Sequence, residues 1–312
     1  MMRLIVPVAA AAAVALLCVS QSLEAQRTHV IVISGLSGEP AFKRTFDAAA
    51  DAIHDAARLR WKVPDSSIVV LSEDTIVAGQ KRARSTRENI AAAFVTLSRR
   101  VADGDVLLVV LMGHGSGDGP GSKLNLPGPD ATATEYGTWL RGFARQQVVF
   151  VNTASGGGDF LEVLRAPGRV VLTATRSAME KNEALFVGYF AKALASDESD
   201  GDKDGRVSVL EAFRYARTEV ARAYESSNRM QTEHAMLSDS LLARSVSFGA
   251  STSSGDPRVA ALVAERQSLE ADVGALRLKK STMTPAAYDA ELERLLVAIA
   301  EKTQAIKAGM PR

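Results

Sequence analysis

Five short runs of β-branched and aliphatic residues recur along this chain, at His29 to Ser34, Ser67 to Leu71, Asp105 to Met112, Gln147 to Val151 and Arg169 to Thr173. Between them lie AFKRTFDAAADAIHDAARLRW, STRENIAAAFVTLSRRV and TATEYGTWLRGFARQ, whose apolar residues fall three and four apart as in amphipathic helices. Strands that alternate with helices build a mostly parallel sheet, reached by right-handed crossovers and covered by helices on both faces. The runs VLLVVLM and QVVFV are apolar throughout, as burial on both faces demands. The expected fold class is α/β, a mostly parallel sheet flanked by helices on both faces.

Composition changes at SFGASTSSGDP, residues 247 to 257, where serine, glycine and proline cluster. We take 249–257 as a linker and 26–248 as the α/β domain. Beyond it, Val259, Leu262, Leu269, Val273 and Leu276 form one helical stripe. After KKSTMTP, Tyr288, Leu292, Leu295, Ile299 and Ile306 form another, with Pro285 suited to a first helical position. This spacing predicts an antiparallel helical hairpin over 258–312, folded on itself or on the main domain, or serving self-association into a homo-oligomer.

The first residues, MMRLIVPVAAAAAVALLCVSQSLEA, carry one charge at Arg3 and an apolar run from Leu4 to Val19. That is the pattern of a secretory signal peptide, residues 1–25, rather than of a fold element, and it implies a secreted or periplasmic protein. An uncleaved anchor is the alternative, although the run is short for one. The single cysteine, Cys18, lies inside this run. Cleavage after Ala25 therefore leaves a chain without thiols, which excludes disulfides, cysteine metal sites and a cysteine nucleophile. No later run approaches membrane length, so no membrane partner is expected after cleavage. The formal net charge is +1 with scattered lysine and arginine, which argues against nucleic acid as a partner.

Residues 200 to 211 read DGDKDGRVSVLE and satisfy D-x-D-x-D-G-x5-E at every anchor. Ca²⁺ prefers six to eight hard oxygen ligands. This spacing offers the carboxylates of Asp200, Asp202, Asp204 and Glu211, the carbonyl of Arg206 and the hydroxyl of Ser208, with Gly205 at the sharp turn. Helical segments flank it on both sides. The competing reading is an acidic helix connection in which Ser208 and Glu211 form a capping box.

Ligands of open parallel sheets meet the protein beyond the carboxyl ends of the strands. VLLVVLM runs there into Gly113-His114-Gly115-Ser116, and QVVFV runs into Asn152-Thr153-Ala154-Ser155-Gly156. If the two strands are neighbours, His114 shares a rim with the 153–155 turn. An imidazole there can act as general base, and flanking glycines leave backbone N–H groups free for an oxyanion. Of the other histidines, His29 marks the start of the first strand, His54 reads as a surface residue, and His234 is either a structural group or part of the rim. The loop Gly117 to Asp130, GDGPGSKLNLPGPD, reads as irregular, either a rim of a cleft or a long turn. An α/β-hydrolase site is disfavoured because Thr153 stands where a glycine is needed two residues before Ser155. A dinucleotide site is disfavoured because GHGSGDGPG lacks the phosphate-binding spacing.

Over about Thr28 to Ser240 these elements resemble the legumain- and caspase-like cysteine peptidases, most closely the bacterial legumain-like branch. The resemblance is carried by VVLMGHGS, by the second strand ending before Ser-Gly-Gly with a following phenylalanine, and by RVVLTATRS leading to Glu180. It implies that His114 is the base and that a cysteine at the end of the next strand is the nucleophile. Matching Phe160 to the family phenylalanine puts Ala154 at that place, whereas a shift of one puts Ser155 there. The resemblance also places a specificity pocket after the fifth strand, near Arg176 and Glu180. Asn182 reads as a cap for NEALFVGYFAKALA. Three functions follow: a catalytically silent pseudopeptidase that binds a peptide or protein segment, a peptidase using His114 and Ser155, or a calcium-stabilised assembly protein acting through its hairpin.

Overall fold

The computed structural model describes residues 26–77, 79–182, 185–249 and 257–309. Residues 1–25, read above as a signal peptide, and most of the segment read as a linker lie outside the described residues. Seven strands form one sheet: β1 (Thr28–Ser34), β2 (Ile68–Ser72), β3 (Ala83–Arg84), β4 (Val106–Met112), β5 (Gln147–Asn152), β6 (Arg169–Thr173) and β7 (Met236–Leu237). Their spatial order is β7-β6-β5-β4-β1-β2-β3. Every pairing is parallel except that of β7 with β6.

The five long runs thus fold as expected, and two-residue edge strands complete the sheet. Because side chains alternate along a strand, β1 sends Val30 and Val32 to one face and Ile31 and Ile33 to the other. The first face is covered by α1 (Pro40–Asp55), α5 (Phe186–Ala195), α6 (Val209–Ser226) and the short α7 (Ser240–Ser245). The second is covered by α2 (Arg87–Ser98), α3 (Ala133–Trp139) and α4 (Phe160–Leu164). All seven residues of β4 are buried, and each large aliphatic side chain so placed contributes about 1.5–3 kcal/mol.

Several local expectations change. The segment through Trp61 ends in a π turn over Ala56–Arg60, before Lys62 at φ 56° and Pro64. The glycine- and proline-rich loop is not irregular throughout. Lys123–Leu124 pairs with Gly115–Ser116 and with Ala131–Thr132, because Leu124, Leu126 and Ala131 can be buried there. Asn182 does not cap α5. Its N-cap is Leu185, and the buried Glu233 carboxylate takes that role by accepting from the N–H groups of Leu185 at 2.7 Å and Phe186 at 3.2 Å.

The C-terminal hairpin consists of α8 (Pro257–Leu278) and α9 (Pro285–Gly309). All ten stripe residues pack between the two helices, in one cluster around Val273, Leu295 and Ile299 and another around Val259, Val263 and Ile306. The hairpin therefore has a core of its own. Its α8 also carries the buried Arg266 and Glu270. Among the described residues no helix is long and apolar enough to cross a membrane.

Candidate active site

Strands β4 and β5 are neighbours in parallel register, with Leu111 opposite Asn152. Their following turns therefore leave the sheet side by side and continue the pairing as a parallel bridge between His114 and Ser155. Gly115 allows this approach, since a Cβ there would lie 2.7 Å from the Ser155 carbonyl oxygen. Gly158 plays a similar part against the Arg176–Ser177 backbone, where a Cβ would come within 2.3 Å. Asn152 shapes the turn, accepting from Ala154 N–H at 3.0 Å and donating to the Gly157 carbonyl at 3.3 Å. Thr153 is held to the Leu111 carbonyl through both its N–H and its hydroxyl.

The imidazole of His114 bridges two groups. Its Nδ1 lies 3.0 Å from Ser155 Oγ, and its Nε2 lies 3.0 Å from the Ser37 carbonyl oxygen. A carbonyl only accepts, so Nε2 carries a proton, and in the singly protonated ring the serine hydroxyl donates to Nδ1. Phe42 and Phe46 meet the ring edge-on, at 5.1 and 6.2 Å. Ser37 is fixed in turn by Glu73, whose Oε2 accepts from its N–H at 3.1 Å and its hydroxyl at 2.6 Å. Sequence reasoning missed Ser37 and Glu73. The signal available was their place after β1 and β2, whose carboxyl ends open on the same rim.

Ala154 does not face His114. It is fully buried in the cluster with Phe150 and Phe160, beneath the sheet on the α4 side. Ser155, 3 % exposed, holds the position opposite the imidazole.

Three backbone donors of these turns expected to be free are engaged. Gly115 N–H donates to the Ser155 carbonyl at 2.8 Å, Ser155 N–H to the Gly113 carbonyl at 3.3 Å, and Gly156 N–H to the Glu180 carbonyl at 2.6 Å. The continued strand pairing uses the first two and the loop after β6 takes the third, effects that glycine spacing alone does not reveal.

The loop after β6 closes over this turn. Glu180, almost buried, accepts from the Arg176 N–H at 2.8 Å and the His234 N–H at 3.1 Å, while His234 Nδ1 stands 2.6 Å from its Oε1. Arg176 is exposed and pairs with Glu180 at 3.3 Å. It also lines a cleft of about 440 Å³ with Gly158, Asp159, Leu161, Pro120 and Met236. Arg176 therefore reaches the cleft beside the turn, whereas Glu180 serves to hold His234 and the loop. His29 is far from this rim. It is buried at the opposite, amino end of the sheet, with Nε2 3.0 Å from Asp105 Oδ2. His54 is half-buried beside Asp55.

In the 200–211 loop, carboxylate oxygens of Asp200, Asp202 and Asp204 lie within 4.8 Å of one another, a donor set of the hard-oxygen kind. Asp200 accepts from the N–H groups of Asp204 and Gly205. The capping box is also present: Glu211 Oε2 accepts from Ser208 N–H and Oγ–H, and Ser208 Oγ accepts from Glu211 N–H. Glu211 Oε1 faces the loop, accepting from Gly201 and Asp202 N–H. Burial is the main cause that raises the carboxyl groups of Asp200 and Glu211, with the nearby Asp202 charge adding to it. The Arg206 guanidinium reaches the Ser247 and Gly249 carbonyls. From α8, Arg266 donates to Asp202 Oδ2 at 2.8 Å and is also bonded to Asp204. The twelve-residue pattern gave no hint of this guanidinium.

No family model matches this chain, and no curated protein matches it. Among solved structures it is similar to caspase-1 from Spodoptera frugiperda, at 13 % identity over 68 % of this chain and 86 % of that one, with a TM-score of 0.45. It is also similar to the protein GSU0716 from Geobacter sulfurreducens, at 9 % identity over 74 % of this chain and 96 % of that one, with a TM-score of 0.41. The fold class, an α/β domain with a mostly parallel seven-stranded sheet flanked by helices, rests on the strand order and helix placement described above.

Proposed function

We propose that this protein is a catalytically silent member of the legumain- and caspase-like peptidase group, acting outside the cytoplasm to bind a peptide or protein segment at the rim beside His114. The observation that carries this reading is the engagement of Gly115, Ser155 and Gly156 N–H by backbone carbonyls. Acyl transfer needs preorganised donors aimed at the oxyanion, and losing one costs about 10²–10³ in kcat. A buried serine bonded to an imidazole, with the N–H groups of Gly115, Ser155 and Gly156 all turned to backbone carbonyls, reads as a structural hydrogen bond. Ser155, opposite the imidazole, is on this reading the counterpart of the family nucleophile, and Ala154 is a core residue.

Binding is supported by the surroundings. The cleft of about 440 Å³ adjoins the turn. Met236 on its wall is 42 % exposed, and Met179, in the loop that covers Gly156, is 82 % exposed. Exposed methionines adapt to varied apolar side chains. The acidic loop is read as a calcium site, with Asp200, Asp202, Asp204, the Arg206 carbonyl, Ser208 and Glu211 as its ligands, a structural ion suited to an extracytoplasmic space.

The test uses residues 26–312 immobilised and presented with a mixed peptide pool. Peptides should be retained, with no new termini after prolonged incubation, and a Met179→Ser/Met236→Ser variant should retain fewer. New termini that disappear in Ser155→Ala would overturn the proposal. They would establish the second reading, hydrolysis by Ser155 with His114, which is favoured by the 3.0 Å hydroxyl–imidazole contact and the Ser37 carbonyl orienting the ring.

A further inference from the structure

The 200–211 loop and the C-terminal hairpin meet through charge. Asp200, Asp202, Asp204, Glu211 and, from α8, Glu270 bring five carboxylates around the junction. Facing them are the guanidinium groups of Arg206 and Arg266, with Arg244 at the exposed edge. Arg206 is committed to the Ser247 and Gly249 carbonyls. Of these three arginines, Arg266 is bonded to loop carboxylates, and it takes Asp202 and Asp204, the third and fifth positions of the ligand pattern. It is 6 % exposed, so the contact is built into the packing of α8. Arg266 lies in line with the α8 stripe, seven residues from both Val259 and Val273 and between the two apolar clusters of the hairpin, and its guanidinium reaches the loop, so it ties the separately cored hairpin to the domain.

We propose that Arg266 is the internal cation of this loop and competes with a divalent metal ion for Asp202 and Asp204, so that loading the loop loosens the hairpin from the domain. This rests on the calcium reading above. Asp202 Oδ1 and Asp204 Oδ1 already accept from the Asp204 and Arg206 N–H groups, so a metal ion draws on the oxygens that Arg266 holds, and two cations brought so close repel each other. Whatever stabilises one must weaken the other, and by linkage the effect is reciprocal. Without metal, Arg266 neutralises part of the acidic cluster and pins α8. With metal, those oxygens turn to the ion and the guanidinium loses its partners. A buried, unpaired arginine is costly, so the helix segment carrying it moves toward water.

Two measurements on residues 26–312, freed of metal with a chelator, test this. Calcium is titrated calorimetrically into the unmodified protein, Arg266→Met and Asp200→Ala. Separately, phenylglyoxal labelling of Arg266 in the unmodified protein is followed by mass spectrometry with and without calcium, with the exposed Arg145 as internal reference. The expected results are about tenfold tighter calcium binding in Arg266→Met, loss of binding in Asp200→Ala, and labelling of Arg266 that rises severalfold with calcium while Arg145 stays constant. Equal affinity in the unmodified protein and Arg266→Met overturns the competition and leaves the calcium reading intact. Calcium binding that leaves Arg266 labelling unchanged does the same, and needs no variant to fold. Absence of binding in both proteins overturns the calcium reading and this inference with it.

Discussion

Introducing one thiol at either of two adjacent positions separates the two possible registers of the 153–156 turn. Residues 26–312 contain no cysteine, because the only one in the chain is Cys18, so any new thiol is read without background. At Ala154 the side chain is 0 % exposed and packed with Phe150 and Phe160. Adding a sulfur there overfills a dense core at a cost of about 1–3 kcal/mol. Apolar burial also keeps such a thiol protonated and unreactive. At Ser155 the sulfur would replace an oxygen 3.0 Å from His114 Nδ1, where an imidazolium stabilises a thiolate. Histidine pairing lowers a thiol from about 8.5 to about 7.5 or below. A fall of two units would raise the thiolate fraction at pH 6.5 from about 1 % to about 50 %. The assay is alkylation by iodoacetamide between pH 5.5 and 9, followed by mass spectrometry, with melting temperature measured alongside. Ser155→Cys should be alkylated at mildly acidic pH, and adding His114→Gln should return its profile to that of an ordinary thiol. Ala154→Cys should melt several degrees lower and resist alkylation until it unfolds. Ready alkylation of Ala154→Cys, or a Ser155→Cys profile indifferent to His114→Gln, would refute the assignment of Ser155 to the imidazole.

Further expectations follow from buried carboxylates and the loop. Burial works to raise the Asp105 carboxyl, but the N–H groups of Ala102 and Arg27, the His29 ring and the Arg27 charge outweigh it and hold it below the ordinary carboxylate range. A depressed carboxylate contributes stability that is present above its unfolded value of about 4 and is lost as pH falls through the folded one. Asp105→Asn should therefore cost about 2–4 kcal/mol in urea unfolding at pH 7 and show less stability loss than the unmodified protein as pH falls below about 4. Replacing Glu233 with Ala removes the acceptor for the Leu185 and Phe186 N–H groups and should cost about 1–2 kcal/mol by the same measurement, with α5 losing amide-exchange protection at its first turn. Chelation should lower the melting temperature of the unmodified protein, and Asp200→Ala should abolish that response.

Legibility in the sequence follows pattern length. The five long strands and both hairpin stripes repeat a period over enough residues to be read, and from them the nearness of His114 to Ser155 follows once β4 and β5 are adjacent. The edge strands Ala83–Arg84 and Met236–Leu237 are two residues long and carry no period at all. The ribbon within Gly117 to Asp130 forms because Leu124 and Leu126 find a pocket against the sheet, a tertiary cause that outweighs local turn chemistry. Engagement of the Gly115 and Ser155 N–H groups is likewise a product of strand pairing running past the sheet's formal end. Glu233 reaches Leu185 and Phe186 from at least 47 positions away, and Arg266 reaches Asp202 from 64 away, so no local window contains both partners of either contact. The loop pattern itself was legible as two alternatives: its capping box is present, and its carboxylates stand together in reach of an ion.

The shortness of the two border strands bears on how this sheet behaves in a crowd. An open ladder is an invitation to polymerise, since its unpaired amides can template another chain. Here the pairing stops after two residues on either side: β7 reverses direction, and β3 sits among Lys81, Arg82 and Arg84. Pairings this short leave few unpaired amides in line at either margin, and so offer little template for prolonging the sheet.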